Sequence, residues 1–122
     1  MLRPAAILLL TVLLTPRPGA AADIAAGQAI FSRCKICHSI EAGKNMVGPS
    51  LHGIFGRKAG TADNFAYSEA MQKSGVVWDD DTLTKYLRGP QAFIPGDKMA
   101  FPGIKDDEQI ANLLAYLHQA AQ

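Results

Sequence analysis

An all-α domain of three main helices joined by long irregular loops is the fold the sequence predicts. Three observations carry it. Ile110, Leu113, Leu114 and Leu117 recur at i, i+3, i+4 and i+7 near the C-terminus, one face of a helix. The middle of the chain is punctuated by Val47-Gly48-Pro49-Ser50, Gly53, Gly56, Gly60, Pro95-Gly96 and Pro102-Gly103. No convincing pair of alternating strands accompanies them.

The first element reads as a leader. Met1 and Arg3 precede an apolar run from Ala5 to Leu14, which breaks at Pro16 and Pro18 and exits through Gly19-Ala20-Ala21-Ala22. A basic start, a short apolar run and small residues at the exit describe a secretory signal peptide over residues 1–22, cleaved after Ala22. The run is shorter than the roughly 20 apolar residues that span a bilayer, so an uncleaved anchor is the weaker reading. The remaining domain, residues 23–122, loses Arg3 and Arg17. Lys+Arg then falls from 12 to 10 against 11 acidic residues, a net charge of −1. That balance gives no general electrostatic reason to bind nucleic acid or membrane. A domain of this size has little core to spare.

The helices follow in chain order. Ile24 to Arg33 forms the first, running into the cysteines, with Gly27 as a gap that admits another helix at a cost of about 1 kcal/mol relative to alanine. A short turn is expected over Ser68 to Lys73. The next helix spans Asp79 to Leu87, acidic at its start, basic at Lys85 and Arg88, and stopped by Gly89-Pro90. The last runs from Asp106 to His118, with Asp106 and Gln109 placed as in a capping box. Loops this long leave apolar side chains without a regular core. A cofactor would fill the space.

Cys34-Lys35-Ile36-Cys37-His38 holds the chain's two cysteines. A disulfide across so small a loop would stabilise little. A redox dithiol expects an α/β pattern, which is missing, and zinc would need two further ligands, for which His52 and His118 lack a paired spacing. C-x-x-C-H is also the attachment signature of c-type haem, and secretion and the loop-rich fold favour that reading. Both thiols add to the haem vinyl groups, and the histidine becomes an axial ligand. The opposite axial position has Met46, Met71, Met99, His52, His118 and water as candidates. Met99 lies between Pro-Gly turns in Ile94-Pro95-Gly96-Asp97-Lys98-Met99-Ala100-Phe101-Pro102-Gly103, where stiff backbone presents its soft thioether at a fixed point. Met46 and Met71 are expected to pack in the core.

These segments resemble a class I cytochrome c, in the branch of the mitochondrial protein and the soluble proteobacterial cytochromes. The matching residues are Gly27, Ile30-Phe31, CKICH, Val47 to Gly60, Tyr67, Trp78, Thr82 to Pro90, Ile94 to Lys105 and Leu113 to Leu117, in family order along nearly all of the domain. The resemblance implies the small cytochrome c fold, wrapped around one covalently bound haem c. Cys34 and Cys37 would be its thioether attachments, and His38 and Met99 its axial iron ligands. Pro49 would hold the other nitrogen of the histidine. Arg57, Tyr67 and Trp78 would donate to a haem propionate, Tyr86 would stand near the methionine sulfur, and Phe101 would shield the haem edge. Gly27 and Phe31 would cross Leu113 and Tyr116.

Three departures from the family stand out. Asp97 replaces a frequent threonine, and a carboxylate there disfavours a nearby propionate unless it is paired or exposed. Met71 takes the place of an asparagine. Gln91 and Ala92 replace lysines, which leaves Arg33, Lys35, Lys98 and Lys105 as a thin cationic ring around the haem edge.

The function that follows is a monomeric periplasmic carrier of single electrons, not an enzyme. It docks transiently to membrane or periplasmic redox proteins, between quinol-oxidising complexes or dehydrogenases and an oxidase, reductase or photosynthetic reaction centre. A haem subunit of a larger oxidoreductase complex is the alternative. A peroxidase or gas-binding protein would need an open iron position, against which the Met99 segment argues.

Overall fold

The computed structural model describes residues 1, 12 and 21–122. The apolar run of the expected leader lies outside the described residues. Five helices follow in order: α1 (Ile24–Phe31), α2 (Glu69–Lys73), α3 (Asp80–Arg88), α4 (Pro90–Phe93) and α5 (Asp107–Ala120). The three expected main helices are α1, α3 and α5, and α2 is the expected short turn.

Each main helix starts where a side chain can take up free backbone N–H groups. Asp23 accepts from Ala26 N, and Asp106 accepts from Gln109 N at 3.1 Å. Asp79 and Thr82 form a reciprocal capping box at the head of α3. The expected stop at Gly89-Pro90 is only half of what happens there. Gly89 closes α3 and also caps α4, with Pro90 in its first turn. Proline lacks an N–H that the first turn leaves unused, so the residue that ends one helix opens the next.

Helices α1 and α5 cross closely. A Cβ on Gly27 would lie 1.9 Å from the Asn112 carbonyl oxygen and 2.9 Å from Tyr116 Cβ, so only a glycine allows this approach. The Phe31 and Tyr116 rings meet at 5.3 Å, and Asn112 Oδ1 accepts from Asp23 N at 2.8 Å. The asparagine contact was not expected from the periodicity. It joins the N-terminus of α1 to the middle of α5.

The core draws on Phe31, Leu83, Ile110, Leu113, Leu114 and Leu117 from these helices, and on Ile54, Trp78, Ile94 and Ile104 from loops. Met71 is buried, as expected, but Met46 is not: it is exposed on a loop turn where its N–H bonds Gly48 O. Between α1 and α3 the loops hold themselves by backbone bonds, such as Ala59 N to Val76 O and Trp78 N to Arg57 O. These frame the one isolated antiparallel bridge among the described residues, Lys58 with Val77. No helix among the described residues is long and apolar enough to cross a membrane.

Candidate functional site

A largely apolar cleft of about 270 Å³ lies among α1, α3, α5 and the loops. All ten residues singled out in the sequence line it: Cys34, Cys37, His38, Pro49, Arg57, Tyr67, Trp78, Tyr86, Met99 and Phe101. They come from separate stretches of chain, and the fold brings them together.

The motif enters the cleft from the end of α1. Beyond Phe31 the backbone continues in turns, with Cys34 N bonded to Phe31 O, and Cys37 N and His38 N both bonded to Cys34 O. A turn of this pitch puts residues three apart on one side, so both thiols and the imidazole reach the cleft. Burial raises the Cys34 pKa, and Arg33 partly opposes this.

His38 is fixed by the loop after it. Its Nδ1 lies 2.8 Å from the Pro49 carbonyl oxygen. A carbonyl only accepts, so Nδ1 carries the proton and the Nε2 lone pair is left for another partner. Burial lowers the imidazole pKa, the Pro49 bond opposes, and the Arg57 charge lowers it further. The result favours the neutral ring that ligates metals. Gly48, a loop residue with no sequence signal of its own, lies with its backbone against this ring. Asn45 holds the same loop, accepting from Ser50 N at 2.9 Å and donating to Asp63 O at 2.8 Å. No sequence signal marks that link.

On the polar side, Arg57 donates to Ser50 O at 3.0 Å and His52 O at 3.2 Å. Burial lowers its pKa and Tyr67 opposes. The Tyr67 oxygen accepts from Ala62 N at 3.1 Å, which leaves its own proton to donate. Trp78 is buried, with its ring 5.0 Å from that of Tyr86, and its indole N–H bonds no described residue. These three side chains thus have donors in or beside the cleft.

At the other end, the Tyr86 hydroxyl lies 3.7 Å from Met99 Sδ and bonds the Asp97 carboxylate. Burial, then Asp97, raises the Tyr86 pKa far above its ordinary value, so the phenol keeps its proton. Asp97 is therefore buried and paired. Of the expected cationic ring, Lys98 donates to the Ala66 carbonyl and lies 5.2 Å over the Phe65 ring, and Lys105 donates to Arg88 O.

A zinc centre does not assemble. His118 pairs with Asp80 at 2.6 Å and stacks on Phe55, and no group of three His, Cys, Asp or Glu suited to a metal occurs among the described residues. The donor set suits an iron porphyrin instead: two thiols, an imidazole with free Nε2, a thioether, polar donors to one side and apolar walls.

The family model described as cytochrome c matches residues 24–121. The chain is 48% identical over 103 residues to cytochrome c2 of Blastochloris viridis, covering 84% of this chain and 81% of the relative. It is 56% identical over 87 residues to cytochrome c2 iso-2 of Magnetospirillum fulvum, covering 71% and 91%. Among solved structures, cytochrome cH from Methylobacterium extorquens superposes with a TM-score of 0.75 at 45% identity, covering 80% of this chain and 99% of that one.

Proposed function

Because the chain belongs to the cytochrome c family, and so is an electron carrier with one covalently bound haem c, we propose that it shuttles single electrons in the periplasm. Its partners are membrane or periplasmic redox proteins, met one at a time by a monomer whose leader, residues 1–22, is removed on export. The haem supplies a one-electron couple at iron.

The chain's own residues do the rest. Cys34 and Cys37 would tether the haem, and His38 Nε2 and Met99 Sδ would supply the donors to its iron from the walls of the same cleft. Pro49, through its carbonyl, holds the imidazole in one tautomer and orientation. Arg57, Tyr67 and Trp78 would donate hydrogen bonds to a buried propionate and so reduce the cost of burying its charge. The apolar walls of the cleft would exclude water from the haem, and Phe101 would shield its edge where a partner docks over a small area.

The observation that carries this reading is that His38, with Nε2 free, shares one cleft with Cys34, Cys37 and Met99. The test is an optical redox titration of the protein matured with haem in a bacterial periplasm. One reversible one-electron wave is expected, together with a sulfur-to-iron band in the oxidised spectrum. A high-spin spectrum would overturn it. Replacing Cys34 and Cys37 with alanine should remove pigment that survives denaturation. Elution of native periplasmic extract at the size of one small domain is expected; co-elution with a large complex would make the chain a fixed subunit.

A further inference from the structure

Tyr86 has one hydroxyl proton and two acceptors within reach, Met99 Sδ at 3.7 Å and the closer Asp97 Oδ2. A carboxylate oxygen is a much stronger acceptor than a thioether sulfur. The proton goes to Asp97. The arrangement is held from every side. Asp97 Oδ1 accepts from Lys98 N at 2.8 Å, and Gln91 Nε2 donates to the Asp97 carbonyl. The Tyr86 ring is buried, with its centroid 5.0 Å from that of Trp78.

We infer that Asp97 is a positioning residue that captures the Tyr86 hydroxyl and so keeps the Met99 sulfur free of a hydrogen-bond donor. This rests on the proposal that Met99 is the axial thioether. A sulfur that accepts no hydrogen bond keeps its electron density for the iron, which favours the ferric state relative to a hydrogen-bonded sulfur. Asp97 thus sets the donor strength of a ligand it does not touch, through the phenol between them.

Asp97→Asn reverses the pairing. The Lys98 N–H still needs an oxygen, so the amide turns its nitrogen toward Tyr86. That nitrogen donates to the phenol oxygen and releases the phenol proton toward sulfur.

The test uses the haem-loaded protein in four forms: wild type, Asp97→Asn, Tyr86→Phe and the double variant. Each is followed by optical redox titration and by the sulfur-to-iron band. Asp97→Asn should raise the ferrous-to-ferric ratio at the wild-type midpoint by about tenfold, which is 59 mV for one electron, and should move the band. Tyr86→Phe alone should leave the band nearly in place, and this arm stands even if Asp97→Asn fails to fold. In the Tyr86→Phe background most of the Asp97→Asn effect should vanish. Equal shifts in both backgrounds would mean a plain charge effect and overturn the inference. So would a Tyr86→Phe band displaced as far as that of Asp97→Asn. A wild-type spectrum with no sulfur-to-iron band would overturn the ligand assignment and this inference together.

Discussion

Gly48 lies face to face with His38: a Cβ built on it would fall 2.3 Å from Cε1, 2.7 Å from Nδ1 and 2.8 Å from Nε2 of the imidazole. The ring is already anchored by Pro49, the next residue along. Gly48→Ala must therefore push the ring off its Pro49 bond or spread the loop. Overpacking of this kind costs about 1–3 kcal/mol. Denaturant unfolding of the haem-loaded variant should show that loss, along with weakened low-spin features. An unchanged midpoint and spectrum would mean the loop yields freely.

Gly27→Ala sets two effects against each other. Alanine improves the helix by about 1 kcal/mol, but its Cβ would meet the Asn112 backbone oxygen at 1.9 Å. Backbone cannot rotate aside as a side chain does, so α1 and α5 must separate. The expected outcome is net destabilisation of up to about 2 kcal/mol, the overpacking cost less the helix gain, measured by denaturant unfolding. Stabilisation would show that the crossing has slack.

Met99→Ala should leave the pigment covalently attached, open the iron to added ligands and lower the potential, since the soft thioether favours ferrous iron. Imidazole titration and an optical redox titration read both effects. Retention of the wild-type potential and spectrum would remove Met99 from the axial position.

Electron transfer to a partner should depend weakly on salt. Residues 23–122 carry a net charge of −1, and the expected cationic ring is no more than Arg33, Lys35, Lys98 and Lys105. Stopped-flow rates across a range of ionic strength provide the check, and a steep fall would require a strong attractive field.

Much of this was legible in the sequence because it is local. The face of α5 is a periodicity, the approach to the cleft is a five-residue motif, and the acidic starts and basic ends of α3 lie within one or two turns. Met46 and Gly48 were less legible, because a loop has no period to tell which side chain faces inward. Pro90 was read as a stop, but whether a new helix follows depends on what the chain packs against next.

The sequence by itself determined the helical class, the attachment motif and the residues that gather in the cleft. The tertiary structure alone decided who bonds whom within it. The Asp97 carboxylate bonds the Tyr86 hydroxyl across eleven residues, and Asn45 ties the loop before Ser50 to Asp63. Each side chain has several chemically equivalent partners in the sequence. Only the close packing of irregular loops, which no repeat encodes, brings one of them within hydrogen-bond distance and leaves the others out of reach.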